Sequence, residues 1–332
     1  MLTVLHDLHI GAIRNAGTTP ATQLALRKQN LVEFQALLPE SDLMILGDLF
    51  DTYNIPIVDV LTTYFHLKAW LEKGHQLYLV AGNHDLSKTS DVMSSFDFLC
   101  SLLLDTAPAC VTVIKGEGQL IPWGYVIPHV ANQDLFNYEL SKVPTCAYLY
   151  LHCNYDNHFA AQSDQSLNLS KEQADSCLAD KIVIAHEHHY RQSGKVILPG
   201  CQITSSVSDW LSDTNKYYAT ISGEGLQLVQ CKEKDDYFID LDWKAVELVD
   251  KPYIRVSGYA TPEEATKVVN MVGKLRKLSS AYVVSNAVQI LSADGVAEAF
   301  SRSLEDVTTF KVREALFKLL SPPEIATIEG LK

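Results

Sequence analysis

Short apolar runs in this 332-residue chain end, one after another, in side chains that hold metals or move protons. Residues 2–5 run into Asp7-Leu8-His9, residues 42–46 into Gly47-Asp48-Leu49-Phe50-Asp51, and residues 77–81 into Gly82-Asn83-His84-Asp85. Residues 147–151 are followed by His152, and 182–184 by His186-Glu187-His188. A lone Asp after a strand is ordinarily a turn or a helix cap, and a lone His a satisfied surface group. Five run ends with the same ligand chemistry need a common cause. No Cys stands at these positions, which disfavours a closed thiolate zinc site. Carboxylate, imidazole and amide oxygen together suit Mn, Fe or Zn in sites that keep open positions. There are too many donors for one ion, whereas two ions sharing a bridging carboxylate would use them all. Two-metal sites at about 3.5–4 Å spacing are built for in-line displacement at phosphorus: a metal-bound hydroxide attacks, and a nearby His can act on the leaving oxygen.

The elements that would position these groups follow from periodicity. Residues 2–5, 42–46 and 77–81 read as buried parallel strands, whose carboxyl ends are where α/β sheets place ligands. Between and after them, 21–38 (Leu24, Leu31, Phe34 and Leu38 near one face, stopped by Pro39), 57–71 (closed by Gly74) and 94–104 read as helices. This β-α-β-α-β-α order predicts a parallel sheet flanked by helices, with all five run ends at the carboxyl edge of a single sheet. The rhythm then turns β-rich: strands are expected at 111–114, 120–123, 125–128, 147–151, 182–184, 196–199, 217–221 and 226–229. A polar, helical stretch is expected between 151 and 182, and a surface turn at 232–236. Around Asp250-Lys251-Pro252 the pattern restarts with a strand at 253–256. Thr261-Pro262-Glu263-Glu264 then combines an N-cap Thr, Pro at N1 and Glu at N3, opening a helix to about residue 278. A strand at 282–291 completes a small β-α-β module, and 303–320 reads as an amphipathic helix ended by Pro322-Pro323.

At 47% hydrophobic and 20% charged, the composition is that of an ordinary globular protein, and no apolar run approaches the roughly 20 residues of a membrane span. The apolar start, residues 1–5, has no basic region and reads as a strand rather than a signal peptide. Seven Cys without CxxC pairs fit reduced thiols in a cytoplasm. The net charge of −13 argues against binding DNA by a broad basic surface. Its distribution is uneven: residues 251–332 carry +2 and residues 1–250 carry −15.

Asp7-x-His9, Gly47-Asp48-x-x-Asp51, Gly82-Asn83-His84-Asp85, His152 and His186-x-His188 match, in order, the motif set of the calcineurin-like metallophosphoesterases, which the chain therefore resembles over residues 7–188. The resemblance implies a four-layered α/β sandwich with a di-metal site at one edge. Asp7, His9 and His188 would ligate the first ion, Asp48 would bridge, and Asn83, His152 and His186 would ligate the second. His84 would stand beside the scissile phosphate as general acid or charge stabiliser, held by its neighbour Asp85, with Asp51 supporting the ligands from behind. The stretch Gly47-Asp48-Leu49-Phe50-Asp51-Thr52, followed by a helix, is similar to SbcD-type DNA exonuclease subunits, including compact phage-encoded versions. Protein phosphatases instead carry an Arg after that Asp. Two departures stand out: Ala185 where the family usually has Gly, which restricts the backbone before His186, and His6 where Ser or Thr is usual.

The implied organisation is a metallophosphoesterase domain at 1–250, a small α+β capping module at 251–302 and a helical tail at 303–332. The implied activity is DNA phosphodiester hydrolysis with two divalent ions, Mn²⁺ expected. It would take place in the cytoplasm (the host's, for a phage protein) beside an SbcC-type coiled-coil ATPase bound through the tail, with a homodimer left open and no membrane. The rival readings are a phosphoesterase for small substrates, such as cyclic nucleotides or nucleotide pyrophosphates, and a scaffold without catalysis. His158, in the loop after His152, and His129, after Pro128, could each touch substrate, with surface-loop polarity the favoured reading, and His189 could join the His186–His188 cluster but reads better as an exposed neighbour. The cluster Lys274, Arg276 and Lys277 suits a helix C-terminus and could also meet phosphates.

Overall fold

The computed structural model describes residues 1–13, 20–87, 89, 92–157, 166–204, 215–233, 236, 238–245, 251, 253–278 and 283–291. The first half follows the expected alternation: β1 (Leu2–Leu5), α1 (Pro20–Leu37), β2 (Asp42–Leu46), α2 (Ile57–Leu71), β3 (Leu77–Val80), α3 (Ser95–Thr106) and β4 (Val111–Ile114). Then come β5 (Gln119–Ile121), β6 (Gly124–Ile127), α4 (Gln133–Ser141), β7 (Cys146–His152), β8 (Asn154–Tyr155), β9 (Asn168–Leu169), a short helix Lys171–Ser176 and β10 (Ala179–Ala185). The hairpins β11 (Arg191–Ser193) with β12 (Val196–Leu198), and β13 (Asn215–Ser222) with β14 (Gly225–Glu233), follow.

These strands make two six-stranded sheets, not one. Their orders are β14-β13-β1-β2-β3-β4 and β11-β12-β10-β7-β6-β5. Within the first, β1 to β4 run parallel; within the second, β6, β7, β10 and β12 run parallel. The single carboxyl edge expected from sequence is therefore two edges. The physical reason lies in the period-2 pattern of strands that are apolar on both faces. Leu43, Ile45, Leu77 and Leu79 face one core with Phe34, Trp70 and Phe96 of the helices, whereas Met44, Leu46, Tyr78 and Val80 face another. That second core also holds Val126, Tyr150, Val183 and Ala185, so it is the seam between the sheets. On the far side, Leu149, Leu151, Ile182 and Ile184 pack with Phe136 of α4. Helices, sheet, sheet and helices give the four layers expected.

Other departures are local. Leu24 is exposed rather than on the core face of α1. Residues 232 and 233 extend β14 instead of turning. α4 adds to the expected elements: Asn132 caps it by accepting from the Leu135 N–H, but only Phe136 and Glu139 are buried, so it carries little apolar periodicity. Downstream lie β15 (Phe238–Asp242), β16 (Tyr253–Ser257), β17 (Tyr259–Ala260), β18 (Val283–Asn286) and β19 (Gln289–Ile290). The single strand expected at 282–291 is thus two, interrupted at 287–288. The helix Ala265–Leu278 follows a 3₁₀ turn at Pro262–Glu264, where the Glu264 carboxylate accepts the Thr261 N–H.

By its internal contacts the chain divides into two compact units. Among the described residues, one holds those within 1–239, 251–254 and 283–285, and the other those within 240–245, 255–278 and 286–291. In the second, β17 and β19 pair in parallel and Val268, Val272 and Leu275 are buried. The helix expected at 303–320 lies outside the described residues. No helix among the described residues is long and apolar enough to cross a membrane.

Candidate metal centre

The carboxyl ends of β1, β2, β3, β7 and β10 converge. Asp7, His9 and His188 bring one ligand atom each within 4.8 Å of one another, and so do Asp48, His152 and His186. A third such group is His9, Asp51 and His84. Four of the residues, Asp7 (φ 49°), His9 (φ 45°), Asp48 (φ 51°) and His186 (φ 91°), hold left-handed backbone conformations that non-glycine residues rarely adopt. Strain of this kind persists only where the surrounding structure over-determines it. Ala185 is not among them: it is the last residue of β10, paired with His152 on β7. The Gly-to-Ala departure therefore falls on ordinary strand backbone, and the unusual φ belongs to His186 itself.

Asp48 sits at the centre. Its Oδ1 accepts the His84 N–H at 2.8 Å. Its Oδ2 lies 3.3 Å from His152 Nε2 and 4.0 Å from His9 Nε2, so one oxygen stands between the two ligand groups. His152 Nδ1 donates to the Leu46 carbonyl at 3.1 Å, which ties β7 to the end of β2 across the two sheets and aims Nε2 inward. That Nε2 is 3.0 Å from Asn83 Oδ1. On the other side, His9 Nε2 and His188 Nε2 approach to 3.1 Å, and His188 Nε2 is 3.9 Å from Asp7 Oδ1.

This donor set fits divalent cations. Asp7 is fully buried; its Oδ2 accepts from His6 Nδ1 at 2.7 Å and from the His186 N–H at 2.9 Å, while its Oδ1 has no hydrogen-bond partner. A buried carboxylate oxygen without a donor is costly unless a cation takes the position. Facing imidazole nitrogens make the same demand. With no sulfur donor, the set matches ions that accept mixed oxygen and nitrogen ligands.

Charge follows geometry. Burial works to raise the carboxyls of Asp7 and Asp48. His6 in the first case and His152 in the second outweigh it, so both are held well below the usual carboxylate range. Burial would lower His152, but the Asp48 charge overrides it and lifts the imidazole to about 9. Burial depresses His9, and burial with the His152 charge brings His186 to about 4.

The remaining sequence-derived residues divide. Asp51 Oδ1 lies 3.4 Å from His9 Nδ1. His84 does not lean on Asp85: its Nδ1 donates to the Asp51 carbonyl at 2.5 Å, and its ring stands edge-on to His9 with centroids 4.9 Å apart. Asp85 points the other way. It accepts from the N–H groups of Gly82 (2.9 Å), Phe50 (3.1 Å) and Leu49 (3.4 Å) and so shapes both loops. Burial and the nearby Asp48 charge push its carboxyl up to about 7. His189 is exposed and joins none of the ligand groups. His158 lies outside the described residues.

Three residues play larger parts than the sequence alone assigns them. His6, fully buried, is the donor that fixes Asp7. Gln202 accepts the His6 N–H at 2.7 Å and donates to the carbonyls of Gly200 and Tyr217 at 2.9 and 2.8 Å. A glutamine 196 positions away carries no local signal, whereas the odd residue at position 6 was a usable one. His129 is no loop-surface residue: its ring stands edge-on to that of His152, centroids 6.4 Å apart, and burial lowers it to about 3.

A double-sheet α/β sandwich with converging carboxylates and imidazoles at its strand ends defines a metal-dependent phosphoester hydrolase. The chain belongs to the calcineurin-like phosphoesterase family, whose profile matches residues 3–223. No curated protein sequence matches the chain. Among solved structures, an archaeal phosphodiesterase aligns at 10% identity with a TM-score of 0.34, covering 69% of this chain and 99% of its own. A protein of Thermus thermophilus aligns at 12% identity with a TM-score of 0.39, covering 69% and 97%. The family and the ligand groups together indicate a divalent di-metal site.

Two outcomes are expected. Gln202→Leu removes the acceptor that fixes His6 and should weaken metal affinity about 10–100-fold, with the folded far-UV spectrum retained; unaltered metal titration would refute this support role. His152 in the metal-free protein holds a proton below about pH 9, whereas His9 and His186 are already neutral at pH 7. Metal binding at pH 7 must displace the His152 proton, so affinity should rise with pH, by up to about tenfold per unit, and level off near pH 9. Calorimetry in buffers of different ionisation enthalpy reads that proton directly.

Proposed function

We propose that this chain is the nuclease subunit of an SbcD-type assembly, a phosphodiesterase that hydrolyses DNA with two Mn²⁺ ions. Asp7, His9, His188 and Asp48 would hold one ion, and Asp48, Asn83, His152 and His186 the other. The ions would supply Lewis-acid charge to the phosphate oxygens and to the attacking water. The chain's own part is positioning and proton transfer. His84 Nδ1–H is committed to the Asp51 carbonyl, so Nε2 is the atom that meets the leaving oxygen.

The observation that carries the DNA reading is the stretch Gly47-Asp48-Leu49-Phe50-Asp51-Thr52. Its last Asp both backs His9 and orients His84 through its carbonyl. The residues at 251–302 would form the cap that meets DNA, and residues 303–332 would engage an SbcC-type coiled-coil ATPase, in the cytoplasm and with a second copy of the chain as a further partner. A second reading, a phosphoesterase for small substrates such as cyclic nucleotides, draws support from the −15 balance of residues 1–250, because small anions need no basic track.

Protein loaded with Mn²⁺ should degrade labelled DNA faster than it turns over bis(p-nitrophenyl) phosphate. Asp48→Ala should lose both metals and activity, while His84→Ala should keep both metals and lose activity. The reverse substrate preference would select the small-substrate reading, and full activity in both variants would remove the site assignment altogether. For the assembly, affinity capture from native extract should recover a large coiled-coil ATPase with the full chain and lose it on deletion of residues 303–332. Capture unaffected by the deletion would place the partner surface elsewhere.

A further inference from the structure

We propose that His129 is a substrate-contacting residue, donating a hydrogen bond to a non-bridging oxygen of the phosphodiester on the His152–His186 side of the site. The proposal rests on the phosphodiesterase reading above and concerns a residue outside both ligand groups.

His129 follows β6, a strand that delivers no ligand. Its own N–H donates to the Ala81 carbonyl at 2.9 Å, which fastens the end of β6 to the end of β3 immediately before Gly82-Asn83. The side chain is thereby set beside the second ligand group. Its ring meets that of His152 edge-on, at 87° with centroids 6.4 Å apart, and Asp48, His186 and His84 also lie within electrostatic range. It joins none of the converging ligand groups, so a metal-holding role does not account for it. Among the described residues no group hydrogen-bonds its ring, so no internal polar partner accounts for it either. The ring is only partly buried.

Its placement mirrors that of His84. His84 stands edge-on to His9, at 88° and 4.9 Å, beyond the first group; His129 stands edge-on to His152 beyond the second. Two imidazoles outside the two proposed ligand sets therefore stand edge-on to the cluster, one against a ring of each set. A tetrahedral phosphate seated between them turns its leaving oxygen to one and a non-bridging oxygen to the other. An N–H aimed at that oxygen makes a charge-assisted hydrogen bond, the stronger kind.

The test compares wild type, His129→Ala and His129→Gln, each loaded with Mn²⁺. Metal content is measured by elemental analysis, inorganic phosphate binding by calorimetry, and hydrolysis of bis(p-nitrophenyl) phosphate by steady-state kinetics. His129→Ala should keep its metal content, bind phosphate on the order of tenfold more weakly, and lose kcat/KM by a similar factor. His129→Gln, which retains an N–H donor, should recover part of both. Unchanged phosphate affinity in His129→Ala would overturn the proposal; so would loss of metal, which would make His129 a support of the ligands instead. If wild type binds phosphate but hydrolyses no diester, the phosphodiesterase reading fails, and the phosphate measurement still decides what His129 touches.

Discussion

Seven donors from five strand ends can meet only if the backbones carrying them approach more closely than side chains ordinarily permit. The approach of Gly82 to Asp48 sets that limit. A Cβ on Gly82 would lie 2.2 Å from Asp48 Oδ1 and 2.3 Å from its backbone nitrogen. A Cβ on Gly47 would lie 2.1 Å from His152 Nδ1, and Gly47 has a φ of +84° besides. These two glycines are bare because the space where their side chains would be is filled by the central carboxylate and by an imidazole from the other sheet. The left-handed φ of Asp48 and the carboxyl-end turns of its neighbours follow from the same crowding.

Electrostatics obeys a division of labour within each carboxylate. Asp7 gives Oδ2 to protein donors and keeps Oδ1 unpartnered; Asp48 gives Oδ1 to the His84 N–H and turns Oδ2 toward the imidazoles. Burying a charge is expensive unless it is paired and hydrogen-bonded. Half of each group is satisfied by the fold; the other half, without a donor in Asp7 and facing the His152 imidazole in Asp48, is what a cation would take. The chain His6, Gln202 and the carbonyls of Gly200 and Tyr217 extends the permanent half into the sheet.

Strand ends and ligand types were legible in the sequence because apolar runs that stop abruptly at Asp, Asn or His have a physical signature that needs no partner. β2, α2 and β4 begin and end nearly where periodicity places them for the same reason. The doubling of the sheet was not legible: a strand that is apolar on both faces reads alike whether helices cover both faces or a second sheet covers one. The orientation of Asp85 was not legible either, since adjacency in sequence to His84 says nothing about direction, and three backbone N–H groups claim its carboxylate. Gln202 and His129 reach the site by contacts 196 and 23 positions long, from Gln202 to His6 and from His129 to His152. A short motif cannot encode such a reach.

The hydrogen bond from His152 Nδ1 to the Leu46 carbonyl crosses from one sheet to the other, and Asp7 likewise grips the backbone of His186. Neither sheet owns a complete set of donors. In mechanical terms the ions would rivet two plates at one rim, resisting shear along the apolar seam formed by Tyr78, Val80, Tyr150 and Val183. A slip of either plate would part the donors, which makes the centre a gauge of the alignment between the two sheets.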